Sequence, residues 1–230
     1  MLDVSVIIPY YNGLEHLERC LEAIRQNTLY PLSEVVIVSD ASPDAGIAER
    51  TVTLFRERFP CRLFFHKRNE NRGFAFSCNE GADIARGDWL CFLNMDTVPQ
   101  PGWLSRVCLY SQAHADVGIL GSKLIYPHNQ MLQHVGGAFG KENRFVHIYQ
   151  GEYPFQPFLN KTRDLQWVTG ACLFISKKDF RTLDGFEVGY GSTSEDTDLC
   201  FKMRFRLGKK VTAVADSVLY HVRNVTGVTT

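Results

Sequence analysis

No run of about 18 apolar residues occurs anywhere in the sequence, so a membrane-spanning helix is not expected. Neither sign of charge is in excess: Lys+Arg and Asp+Glu each number 25, and nothing electrostatic marks the chain for nucleic acid or an anionic surface. A charged ligand must then be handled by a few local groups. The seven cysteines, at 20, 61, 78, 91, 108, 172 and 200, include no C-x-x-C pair and mostly lie among apolar residues. That pattern argues against zinc and disulfides and predicts buried free thiols, hence a reducing, cytoplasmic setting. The amino terminus, MLDVSVIIPYYN, has no basic segment, and Pro9 interrupts its apolar run, which reads as a first strand and not as a signal peptide. No G-x-G-x-x-G follows that strand, and "GGAFGKE" at 136–142 has the wrong spacing for a phosphate loop, with no Ser or Thr after Lys141. Dinucleotide-binding and NTPase readings both lose their support. Low-complexity linkers and internal repeats are also missing. Two N-x-T triplets, at Asn160 and Asn224, are of a kind frequent by chance and carry no meaning in a cytosolic chain.

What is present fits an α/β protein. The 230 residues, 45% hydrophobic and 22% charged, suffice for one large domain or two small ones with a proper core. Apolar runs at Val4 to Ile8, Val35 to Val38, Leu63 to Phe65 and Trp89 to Leu93 recur about 30 residues apart, the length of a strand, helix, strand unit. Between them, Leu14, Leu17, Leu21 and Ile24 share a helix face after an Asn12-x-x-Glu15 start of capping-box type. Ser42 and Pro43 suit the cap and first turn of a second helix whose apolar residues are Ile47, Leu54 and Phe55. Four strands so linked imply a parallel sheet with right-handed crossovers. After about residue 116 the pattern shifts to short strand-like pieces, Val117 to Leu120, Lys123 to Tyr126 and Trp167 to Ile175, among Gly- and Pro-rich loops. A helix is predicted from about Ser194 to Leu207, with Leu199, Met203 and Leu207 on one face. One domain with two halves, 1–116 and 117–230, is the expected organisation.

The stretch "LCFLNMDTVP" at 90–99 ends a buried strand in an amide and a carboxylate. In an open α/β sheet ligands bind beyond the carboxyl ends of strands, which suits a working carboxylate; an ordinary Asn/Asp/Pro turn also fits. Two further polar clusters stand out: "SDAS" at 39–42 after the second strand, and "SEDTDLC" at 194–200 opening the late helix. With "PYYNG" they make the chain resemble the inverting, GT-A-type glycosyltransferases of family 2. "VSVIIPYYNGLEHLERCLEAI", "NRGFAFSCNEGADIARGDWLCFLNMDT", "QHVGGAF", "VTGACLFISKKDF", "LDGFEVGYGSTSEDTDLCFKMR" and the terminal "LYH" fall in the order such enzymes show. The resemblance covers nearly the whole chain and is nearest the bacterial branch with rhamnosyltransferase-like enzymes of cell-surface polysaccharides.

That resemblance implies a mainly parallel α/β sheet flanked by helices, and transfer of a sugar from a nucleotide-diphosphate donor to a hydroxyl of a saccharide or lipid-linked acceptor. It also implies work in the cytoplasm or at the inner face of the membrane. A departing diphosphate needs a divalent cation, and hard Mn2+ or Mg2+ takes one or two carboxylates plus phosphate oxygens and waters. With Asn94 at the first position of a relaxed D-x-D motif, the carboxylate role falls to Asp96. His221 matches the late His that completes the metal site, although a histidine closing a strand reads the same way. By position, Pro9, Tyr10, Tyr11, Asp40, Arg68 or Arg72, Asn94, Met95 and Asp96 correspond to donor contacts. Ser39 stands where an acid is common. Asp196 corresponds to the base that takes the acceptor proton, with Glu195 orienting it or the acceptor; both also suit ordinary capping of a helix start. His134, His147, Trp167 and Gly170 correspond to the acceptor side. Two other readings compete. A sugar-phosphate nucleotidyltransferase would want a Gly-rich, Arg-containing loop after the first strand, and "PYYNG" is not one. A non-catalytic carbohydrate-binding domain of the same ancestry would not need Asp96, Glu195, Asp196 and His221 together.

Overall fold

The computed structural model describes residues 1–141, 144–190 and 194–222. Strands β1 (Val4–Tyr10), β2 (Glu34–Ser39), β3 (Arg62–Lys67) and β4 (Trp89–Leu93) alternate with helices α1 (Leu14–Asn27), α2 (Ala45–Arg56) and α3 (Phe74–Ile84). β1 runs parallel to both β2 and β4, and β2 runs parallel to β3, as the repeated spacing predicts. Both faces are covered, which explains the unbroken apolar runs: Val4, Val6 and Ile8 of β1 join one core cluster and Ile7 the other.

The helix starts differ from their predicted caps. Asn12 adopts a left-handed φ of 52° and its side chain accepts the N–H of Gly13, so no capping box forms. Gly13, at φ 99°, is the residue before α1. Ser42 does not cap α2; its Oγ accepts the N–H of Asn12 and donates to Asp44, tying the ends of β1 and β2 together. Nor do Ile47 and Leu54 face the core, being 58% and 72% exposed. Ala45, Ala48 and Val52 face it instead, because small side chains let the helix lie close to the sheet.

β5 (Thr97–Pro99) follows β4 directly and leads to α4 (Trp103–Ala113). The two predicted pieces after residue 116 are one strand, β6 (Val117–Ile125), buried along its length. Three short strands come next: β7 (Leu132–His134), then β8 (Gly137–Phe139) and β9 (Phe145–His147), which form a separate hairpin. β10 (Arg163–Leu165), β11 (Cys172–Ser176), α5 (Lys177–Thr182), α6 (Glu195–Arg206) and β12 (Lys210–His221) complete the chain. β11 is shorter than the predicted Trp167 to Ile175 piece, since Trp167 only bridges Gly137. The sheet order is β10-β12-β6-β11-β4-β1-β2-β3, with β5 on β12 and β7 on β6. β11 is antiparallel to both neighbours, so the sheet is mixed and mainly parallel on its first half.

Two register features place functional groups. β12 pairs with β6 up to Val214 opposite Ser122, then resumes with Val218 opposite Lys123. The bulge turns its last residues onto β5, where His221 lies opposite Thr97. α6 is seated by Met203, whose sulfur occupies the space a side chain at Gly118 of β6 would need. All seven cysteines are free, and all but Cys61 are buried. The Asn160 amide is spent internally, accepting from Lys123 at 2.6 Å and donating to the Phe155 carbonyl at 3.1 Å; Asn224 lies outside the described residues. Among those described, no helix is long and apolar enough to cross a membrane.

Candidate active site

β4 ends in a tight turn. The N–H and hydroxyl of Thr97 both donate to the Asn94 carbonyl, at 3.2 and 2.7 Å, while Met95 is buried in the core. Anchoring Met95 leaves Asn94 and Asp96 at the sheet edge. There His221, delivered by β12, places Nε2 3.2 Å from Asp96 Oδ1, and the Val222 N–H donates to the Asp96 carbonyl at 3.1 Å. The ring orientation is set by Gln133 of β7, whose Nε2 donates to the His221 carbonyl at 3.2 Å. Its Oε1, 2.6 Å from His221 Nδ1, can only accept, so Nδ1 carries the ring proton. In the neutral ring Nε2 is then an acceptor, 3.5 Å from the Asn94 Nδ2 that donates to it and 3.2 Å from Asp96 Oδ1. Asn94 Oδ1, a third acceptor, is buried without a hydrogen-bond partner among the described residues. Acceptors converging in this way suit a cation, and a carboxylate with an imidazole is a fitting partial set for Mn2+ or Mg2+.

The other expected donor contacts divide by exposure. Asp40, at the end of β2, accepts the N–H groups of Arg72 and Gly73 at 2.9 and 2.7 Å and pairs with Arg68 at 3.2 Å. Both its oxygens therefore hold the loop that leads into α3. Arg68 is largely buried and also pairs with Glu80 at 3.0 Å. Arg72 is exposed, its guanidinium 3.7 Å from the centre of the Phe76 ring. Tyr10 is buried, donating to Asp44 at 2.5 Å, and its phenol is pushed up by burial and by that carboxylate. Pro9 and Tyr11 are half-buried.

Antiparallel pairing of β11 with β4 sets Cys172 opposite Leu93, and the Asn94 N–H donates to the Ala171 carbonyl at 3.0 Å. The next residue back, Gly170, donates its N–H to Asp196 Oδ2 at 2.7 Å. The sheet register thus brings the first-turn carboxylates of α6 to the edge that carries Asn94 and Asp96. Asp196 Oδ1 accepts the N–H and hydroxyl of Thr197, at 2.6 and 3.2 Å. Burial raises the Asp196 carboxyl, and the Gly170 and Thr197 bonds pull it back. Glu195, one residue earlier, has a buried Oε2 with no partner among the described residues, and burial, reinforced by the Asp196 charge, pushes it up to about 7. Asp198 turns away to Lys202 at 2.7 Å.

Of the residues expected on the acceptor side, His134, Trp167 and Gly170 are buried and His147 is half-buried. Gln133 is a site residue that sequence reasoning misses; its only signal is its place before His134 in "QHVGG".

The sequence model of Glycosyl transferase family 2 matches residues 5–183. The chain is 28% identical over 226 residues to the O-antigen biosynthesis protein RfbC of Myxococcus xanthus, covering 95% of this chain and 17% of that protein. It is 30% identical over 209 residues to the uncharacterized protein y4gI of Sinorhizobium fredii, covering 87% of this chain and 22% of that one. It therefore spans about a fifth of the length of these curated relatives. Among solved structures it resembles GalNAc-T7 with UDP, GalNAc and Mn2+, at TM-score 0.76 and 16% identity over 96% of this chain and 44% of that one. A second is the mannosyltransferase PcManGT of Pyrobaculum calidifontis with GDP-Man and Mn2+, at TM-score 0.68 and 19% identity over 96% and 59%.

Proposed function

The chain belongs to glycosyl transferase family 2 and has the GT-A fold, and from that premise we propose that it moves a sugar, with inversion, from a nucleotide-diphosphate donor to a hydroxyl of a saccharide or lipid-linked acceptor. The product belongs to cell-surface polysaccharide, a reading supported by the O-antigen name of the Myxococcus relative. The observation that carries the proposal is the convergence of the Asp96–His221 pair and Asp196 on one sheet edge through the β4–β11 register. Residues 1–116 then serve the donor and 117–230 the acceptor within one domain, and the free thiols support a reducing, cytoplasmic setting.

Asp96 and Nε2 of His221 would hold Mn2+ or Mg2+, which when bound neutralises diphosphate charge and stabilises the leaving group. Arg72 is the exposed donor-side group, with Pro9, Tyr11 and Asn94 half-buried. Asp196 takes the acceptor hydroxyl proton as that oxygen bonds to the anomeric carbon. The bond from that carbon to the diphosphate breaks on the opposite face, its electron pair leaving with the phosphate oxygen. With one base and no nucleophile assigned to a covalent sugar intermediate, the displacement is single.

The test is a thermal-shift panel of nucleoside diphosphates and their sugars with and without Mn2+, since a ligand of the folded state raises apparent stability by RT ln(1 + [L]/Kd). Asp96→Asn is expected to lose the Mn2+-dependent part of the shift while keeping its fold; equal shifts would remove Asp96 from the metal site. An α-linked donor is expected to give a β-linked product by anomeric-proton NMR, and net retention would overturn the single displacement.

A further inference from the structure

His134 is fully buried, and both its ring nitrogens are engaged inside the protein. Nε2 lies 3.2 Å from the Thr169 amide nitrogen. An amide N–H can only donate, so Nε2 carries no proton. The proton of the neutral ring is therefore on Nδ1, 2.7 Å from Nδ1 of His147, which accepts it. Burial, with His147 and His221 nearby, holds His134 well below the usual imidazole range, which keeps the ring neutral. Trp167 packs against both rings, with centroids 5.2 and 4.9 Å away. The residue after Thr169 is Gly170, the donor to Asp196 Oδ2. Two successive backbone N–H groups thus join His134 to the carboxylate.

We infer that His134, backed by His147, is a positioning residue for Asp196: it pins the Thr169–Gly170 backbone so that the Gly170 N–H fixes one oxygen of the base. The inference rests on Asp196 as the base. The neighbouring side chain on β7, Gln133, serves His221, since successive strand residues point to opposite faces. Loss of His134 should therefore disturb the proton-accepting group and spare the cation pair.

The experiment measures kcat, KM, melting temperature and the Kd for a nucleoside diphosphate with Mn2+ on the full chain. The variants are His134→Leu, His134→Gln, Asp196→Asn and the double variant His134→Leu/Asp196→Asn. His134→Leu is expected to lower kcat by roughly 10- to 100-fold, the scale of a misplaced catalytic group, with donor Kd unchanged. His134→Gln, whose side-chain carbonyl can accept the Thr169 N–H, is expected to recover much of that loss. The double variant should be no slower than Asp196→Asn alone, because residues acting as one unit are not additive. Parallel losses of melting temperature, donor affinity and kcat, with no rescue by Gln and full additivity, would overturn the inference while leaving the base assignment standing. Near-normal turnover in Asp196→Asn would overturn the base assignment and the inference with it. If the leucine variant does not fold, the 15N shifts of His134 in the unaltered protein decide. An unprotonated Nε2 with a protonated Nδ1 at neutral pH is required, and a protonated Nε2 overturns the role.

Discussion

Glu195 and Asp196 are chain neighbours with the same functional group and different surroundings. Asp196 is held by N–H donors from Gly170 and Thr197, whereas the Glu195 carboxylate has a buried oxygen without a partner among the described residues. The contrast yields a pH prediction. Glu195 is raised from 4.5 to about 7, so between those values the folded protein binds a proton that the unfolded chain has released. Stability from this group therefore falls as pH rises through that window, and the full penalty applies above it. At about 1.4 kcal/mol per tenfold change in proton affinity, the penalty is on the order of 3 kcal/mol. Glu195→Gln, neutral throughout, is expected to melt roughly 5 °C or more above the unaltered protein at alkaline pH and close to it in mild acid, as read by calorimetry. Asp196→Asn differs: Gly170 and Thr197 address different carboxylate oxygens, and the amide nitrogen that replaces one of them can only donate. That variant should lose about 1–3 kcal/mol of stability as well as roughly 10²- to 10⁴-fold in turnover. A pure helix cap would show the stability loss without the kinetic one.

At the scale of elements, three-residue β7 matters more than its length suggests, since Gln133 and His134 orient His221 and the Thr169–Gly170 backbone respectively. Gln133→Met keeps the volume but leaves the His221 Nδ1–H and carbonyl without their partner. It is expected to weaken Mn2+ affinity by roughly 10- to 100-fold, the usual worth of a group that orients a metal ligand. Mn2+ titration followed by electron paramagnetic resonance reads this without needing turnover. The β8–β9 hairpin depends on Gly137, where an added Cβ would come within 2.0 Å of the Trp167 ring. Gly137→Ala must push Trp167 away from the two histidines, an overpacking cost of about 1–3 kcal/mol. A lower melting temperature with altered tryptophan emission is the expected result.

Across the whole molecule, one sheet of ten strands brings together both groups of candidate site residues. Asp40 and Asp96 come from the parallel half; Asp196 and His221 are set against them by β11 and by the bulged β12. With seven free cysteines, six of them buried, no cross-link contributes to this stability. Unfolding midpoints in urea are expected to be the same with and without a thiol reductant; a reductant-dependent drop would require a disulfide.

The sequence by itself determined the parallel half, because strands buried on both faces write themselves as apolar runs and their crossovers impose an even spacing. Polar groups standing abruptly at the ends of apolar elements drew attention to Asp96, Glu195 and Asp196, while His221 and the roles of all four came from the resemblance to family 2. Helix faces were less legible: α2 buries alanines and exposes Ile47 and Leu54, an arrangement set by how close the helix lies to the sheet. β12 and its bulge were not legible, because pairing between residues about 90 positions apart leaves no local period. Only the tertiary structure decided that Gln133 aims the His221 ring, that the buried His134 ring meets the Thr169 N–H, and that one of two adjacent carboxylates is held by hydrogen bonds while the other has a buried oxygen without a partner among the described residues. Each of these depends on burial and on hydrogen-bond geometry between distant segments, which are properties of the packed sheet and of no single stretch of chain.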